Sequence, residues 1–95
     1  MYISYEQVVA NPVVKMGAAL TIPANATQAE LQASVAGIAY TMDNATNPTE
    51  TSGMILLVTD APKLFLIEDL LRIRFIRFGV ANANLNIHYI AGRDV

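Results

Sequence analysis

The sequence predicts an all-β fold: a single small β-sandwich, jelly-roll-like, with about seven or eight short antiparallel strands and an N-terminal arm. Three observations carry that expectation. Beyond Gly17, apolar and polar residues alternate with a period of two over most of the chain. Turn-forming residues recur about every 8–12 residues, and no stretch sustains a long helical pattern. The 95 residues suit one domain, divided into an arm at 1–15 and a sandwich at 16–95.

In the arm, Tyr2, Ile3, Tyr5, Val8 and Val9 are apolar or amphipathic and are set off by Asn11-Pro12. Ser4 followed by Gln7 fits a capping box, which allows one helical turn through Val9 before Pro12 disfavours helix. Two placements are open: an ordered edge segment on its own domain, or an arm docked on a neighbouring subunit that is removable without unfolding the sandwich. Ala18, Leu20 and Ile22 then alternate with Ala19 and Thr21 as a first strand that Pro23 stops. Ala29, Leu31, Ala33 and Val35 alternate with Gln28, Glu30, Gln32 and Ser34. Leu31, Val35 and Ile38 also sit at helical spacing, but Gly37 falls where a hairpin needs positive φ, which favours a strand returning through Ile38, Tyr40 and Met42.

Residues 44–53 are the long polar segment, built from turn formers, and predict a surface loop. The apolar run Met54 to Val58 predicts a strand buried on both faces, and Thr59 to Pro62 a turn before a short strand at 63–67. Leu71, Ile73 and Phe75 alternate with Arg72 and Arg74, after which Ile76 and Phe78 take the parity of the arginines. A β-bulge near Phe75-Ile76 is the expected reconciliation. Ala83, Leu85, Ile87 and Tyr89 alternate strictly with Asn84, Asn86 and His88 in a final strand.

Composition narrows the chemistry. Hydrophobic residues make up 54% and charged residues 15%, against a usual charged fraction of about 25%, so the chain folds and leaves apolar surface outside. A domain of this size buries only roughly 60–65% of the surface its unfolded chain exposes, and surface this poor in charge predicts self-association, as a dimer or trimer, or assembly with another protein. A net charge of −2 offers no general attraction to nucleic acid or to an anionic membrane. The apolar runs are far shorter than the ~20 residues of a spanning helix, and no basic residue precedes Lys15 as in a secretory leader. The absence of Cys removes disulfides and thiolate chemistry.

No catalytic, cofactor or metal site is expected. His88 is the single histidine and shares the outward parity of Asn84 and Asn86, without a nucleophile or orienting carboxylate beside it in sequence. Asp43, Glu50 and Asp60 are oxygen ligands without calcium-loop spacing, and Glu68-Asp69 reads as surface charge near Arg72 and Arg74. Arg72, Arg74 and Arg77, interleaved with Phe75 and Phe78, form the basic cluster. Alternation assigns the aromatics to the core, so the arginines are read as interface or rim residues rather than a nucleic-acid platform. The expected protein-interface set is therefore Tyr2, Ile3, Tyr5, Val8, Val9, Arg72, Arg74 and Arg77.

The segments LTIPANATQAELQ, IAYTMD, ATNPTETSGMILL, EDLLRIRFIR and LNIHYI, in this order and spacing, resemble a recurring type of small bacteriophage and prophage virion protein. The resemblance covers residues 16–90 and leaves out the arm. It implies a β-sandwich built into a particle, without catalytic residues: a capsid cement or decoration protein on the virion surface, made in the host cytoplasm. Its implied partner is the major capsid protein or another virion protein. The alternative is a tail- or fibre-associated carbohydrate- or receptor-binding module, for which the sequence offers Tyr40 and the 44–53 loop.

Overall fold

The computed structural model describes residues 1–91; Gly92, Arg93, Asp94 and Val95, the end of the expected 16–95 domain, lie outside the described residues. Eight strands run in the order β1 (Tyr2–Ala10), β2 (Lys15–Met16), β3 (Ala26–Ser34), β4 (Gly37–Thr41), β5 (Met54–Leu56), β6 (Lys63–Leu66), β7 (Arg74–Phe78) and β8 (Ala83–Ala91). A 3-10 turn occupies Gly17–Ala19, and a four-residue helix, α1, occupies Ile67–Leu70. No helix among the described residues is long and apolar enough to cross a membrane.

The strands form two four-stranded antiparallel sheets, β1-β8-β3-β6 (sheet 1) and β2-β7-β4-β5 (sheet 2). Pairing is nested: β1 with β8, β2 with β7, β3 with β6 and β4 with β5. The two halves of the ribbon are closed by β3 on β8 and β4 on β7. This is the jelly-roll order, a long antiparallel ribbon wound into two sheets. The core lies between them, with Leu31, Leu85, Ile87 and Tyr89 from sheet 1 meeting Ile38, Tyr40, Leu56 and Phe75 from sheet 2. Each such side chain contributes about 1.5–3 kcal/mol on burial. Tyr40 packs edge-to-face on Phe65, ring centroids 5.8 Å apart, which ties the sheets across the core.

Leu70 and Ile73 close one end of this core. There the 3-10 turn comes so close to α1 that a Cβ on Gly17 would sit 2.8 Å from the Leu71 carbonyl oxygen and 2.9 Å from that of Leu70. Only glycine allows that approach.

Several elements differ from the sequence expectation, each for a physical reason. Of the two placements open to the arm, residues 1–15 take the one on their own domain, supplying the edge strand β1 and the short β2, while a strand replaces the helical turn at Ser4 to Val9. Ile3 and Val8 pack on the core and Ala10 is buried within it, which makes β1 part of the folding unit. The strand expected at 18–22 is a 3-10 turn and an irregular stretch, because Gly17 is drawn in against α1.

The strands β3 and β4 do not pair as a hairpin. They belong to opposite sheets, so the 34–37 connection is a corner between layers, and the positive φ falls on Val35 (73°) rather than on Gly37. The run at Met54 to Val58 is not buried on both faces. β5 is an edge strand in which Leu56 alone is buried, leaving Met54, Leu57 and Val58 exposed. No bulge interrupts β7 either, since Gly37 to Thr41 pair in continuous register with Phe78 to Arg74. Both faces of β7 are covered instead: Phe75 fills the core, while Ile76 (5% exposed) and Ala39 are buried on the opposite face.

Candidate binding surface

The face of sheet 2 away from the core is closed by the chain's own loop. Arg74, which shares that face with Ile76, donates from Nη1 to the Ala45 carbonyl (3.1 Å) and to Asn47 Oδ1 (2.8 Å), and from Nη2 to the Asn44 carbonyl (3.1 Å). Arg77 donates from Nε to Glu50 Oε2 at 2.5 Å, an ion pair with side chains 19% and 37% exposed, and from Nη1 to Asn82 Oδ1 at 3.0 Å. The Gly79 amide donates to the Glu50 carbonyl at 2.8 Å. Within the loop, Asp43 accepts from the Ala45 and Thr46 amides and from Thr46 Oγ1, which holds its carboxyl down at about 2 against an ordinary 3.8.

Two of the three arginines expected at an interface are thus committed to the protein's own loop. Arg72 alone is exposed without a side-chain hydrogen bond among the described residues. The three do not gather into a basic surface. Glu68 and Asp69 pair with none of them among the described residues, where Arg77 to Glu50 is the ion pair formed. The three oxygen ligands considered for calcium stand apart: Asp43 caps its own turn, Glu50 pairs with Arg77, and Asp60 Oδ2 accepts from the Leu57 amide at 2.8 Å. No group of three potential metal ligands converges among the described residues.

The outer face of sheet 1 is open. Register aligns Tyr5 with His88, His88 with Glu30 and Glu30 with Leu64, so that one row crosses all four strands. The next row aligns Gln7, Asn86 and Gln32. The Tyr2 ring stacks on the His88 imidazole at 4.3 Å, and Tyr5 meets it edge-on at 6.0 Å. Tyr2 donates its hydroxyl to Glu30 Oε1 at 2.7 Å, and that bond raises the hydroxyl's pKa. Asn86 Oδ1 accepts from Tyr5 Oη and Gln7 Nε2, both at 2.8 Å, while Asn86 Nδ2 donates to Ser34 Oγ at 3.0 Å. Between these groups lies a shallow, open depression of about 140 Å3 lined by Tyr5, Glu30, Gln32, Pro62, Asn86 and His88.

On the core side of the same sheet, Glu6 accepts from the Tyr89 hydroxyl and from the Thr21 amide. Burial, and then the Glu6 carboxylate, push the Tyr89 hydroxyl's pKa well above its ordinary value. This pair fastens β1 to the core.

The expected interface residues therefore divide. Tyr2, Tyr5 and Val9 are exposed, whereas Ile3 and Val8 pack inward on the core. Tyr40, offered as a sugar platform, is 7% exposed and belongs to the core. His88 faces outward with Asn84 and Asn86, as its parity indicates. Nothing in the sequence marks Glu30, Gln32 and Gln7 as members of one site. Their outward parity was visible, but their neighbours come from β1 and β8, up to about eighty residues away in the chain.

A third surface is apolar. β5 and β6 are each one edge strand of their sheet, with β2 and β1 at the opposite edges, and are joined directly, so residues 54–71 follow one margin of the sandwich. Met54, Leu57, Val58, Leu64, Leu66 and Leu71 are all exposed along it. No family model matches the chain, and neither a curated protein nor a solved structure matches it.

Proposed function

We propose that the chain is a non-enzymatic structural subunit of a bacteriophage-type particle, a capsid cement or decoration protein that binds the shell and its own copies through protein–protein contacts. The observation that carries this reading is the apolar margin from Met54 to Leu71, which ends in open sheet edges. Monomers seldom leave six large apolar side chains along one margin, and an unprotected edge strand is a template for pairing with another chain. Only Lys63 places a charge within β6. The sequence resemblance over residues 16–90 points the same way, and the jelly-roll order is one that viral shell domains share with lectins, a likeness at the level of fold.

Occupancy on purified particles tests it. Many copies distributed over the shell support cement or decoration, and a few copies confined to a tail overturn it. Replacing Leu64 and Leu66 together by lysine should cut occupancy by about tenfold or more, because two buried leucines contribute several kcal/mol at a contact. Unchanged occupancy by a folded double variant contradicts the assignment of this margin.

A further inference from the structure

We propose that the outer face of sheet 1 is a saccharide-binding surface that seats one ring of a neutral sugar in the depression between Tyr5, Gln32 and His88. The reading is independent of the particle assignment, although the depression adjoins the apolar margin along β6, where Leu64 ends the row of Tyr5, His88 and Glu30.

The chemistry of the lining selects the ligand class. Tyr5 and His88 offer ring surface, Gln32 an amide that both donates and accepts, and Glu30 a carboxylate. Sugar hydroxyls also both donate and accept, and the C–H face of a pyranose is apolar enough to lie on an aromatic ring. A purely apolar ligand would strip water from Glu30 and Gln32 without replacing it. An anionic ligand would meet the negative charge of Glu30, the charged residue in the lining.

The free valences point into the same place. Tyr2, Tyr5, Gln7, Asn86 and Ser34 are bonded to one another or to Glu30, which makes a fixed floor. Among the described residues, the Gln32 amide, Glu30 Oε2 and the His88 imidazole nitrogens have no hydrogen-bond partner within the protein, so they remain available to a ligand. Tyr2, stacked on His88 and bonded to Glu30, does not line the depression but fixes the two side chains that do. A floor held in place before binding lowers the ordering cost of association. At about 140 Å3 the depression is well below the roughly 300–1,000 Å3 of sites for drug-sized molecules, so it accommodates one ring, with further rings lying over the flat face toward Leu64.

The test is a titration of the intact chain, followed by NMR at His88 and Tyr5, with maltose, cellobiose, lactose and N,N′-diacetylchitobiose, and with sialyllactose as the acidic probe. The expected result is saturable shifts with at least one neutral disaccharide at millimolar concentration. Gln32→Ala and Glu30→Gln should each weaken binding about tenfold, with the melting temperature unchanged for Gln32→Ala. Three results overturn the proposal: no neutral sugar binds, sialyllactose binds as well as or better than lactose, or both variants retain full affinity.

Discussion

The two sheets obey the same two-residue period, yet their outward faces have opposite fates. In sheet 1 the alternation survives into the structure: along β3 and β8, inward residues are buried and outward ones are wholly or partly exposed. In sheet 2 it collapses, with Ile38, Ala39 and Tyr40 buried in succession, and Phe75 and Ile76 likewise. The difference lies in the 43–53 loop, which Arg74 and Arg77 fix over one face of sheet 2, while among the described residues no segment crosses the outer face of sheet 1. Alternation therefore reports whether a face meets water rather than whether a strand is present. A strand covered on both sides loses the signal and gains structural arginines.

The largest effect expected from this contrast is at Ile76. Ile76→Ala removes apolar volume from beneath the loop and should cost about 3 kcal/mol in urea unfolding, while Gln32→Ala on the open face should stay within about 0.5 kcal/mol. Equal effects would erase the distinction between the faces. Arg74→Ala comes next, at about 2 kcal/mol, because three backbone and amide acceptors in the loop lose a charged donor. It should also speed amide exchange across 44–50 while leaving β3 and β8 protected, and uniform loss of protection would show that the loop is not a separate cover.

A smaller gain is expected at the corner between the sheets. Val35 is β-branched, 76% exposed and held at φ 73°, a conformation that asparagine tolerates far better. Val35→Asn should stabilise the protein by roughly 1 kcal/mol, read as a higher urea midpoint, and a lower midpoint refutes the strain. The smallest effect is the acid response of the loop. Because the Asp43 carboxyl is depressed to about 2 from 3.8, its contribution is complete above the unfolded value and is lost as pH falls from about 4 toward 2. The Thr46 amide resonance should titrate with a midpoint near 2; a midpoint near 3.8 would mean that the cap is not formed.

These contrasts also explain what could be read in the sequence. β3 and β8 were legible because Leu31, Leu85 and Ile87 face a core while Glu30, Asn86 and His88 face water. β1 was obscured by its own chemistry: Glu6 points toward the core side to meet Tyr89 and Thr21, Tyr2 and Tyr5 point outward, and a register shift between Tyr2 and Ser4 changes the phase. β7 suggested a bulge because Ile76 is buried by a polar loop, and nothing in a periodicity registers such a cover. The sequence marks the tyrosines as anchors, but their meeting with His88 and Glu30 depends on the spatial order β1-β8-β3, which follows from winding the ribbon and not from any local pattern.

The proposed contact surface is the apolar margin at β5 and β6, and the proposed role of the loop-covered face of sheet 2 is structural. Hydroxyl-radical footprinting of the protein, free and then bound to shell protein, tests both halves at once. In the free protein Met54, Leu64, Leu66 and Leu71 should label readily while Ile76 and Tyr40 stay protected, and on assembly those four should become protected together. Labelling of the margin that is the same in the free and bound states, with protection appearing elsewhere, would contradict the account.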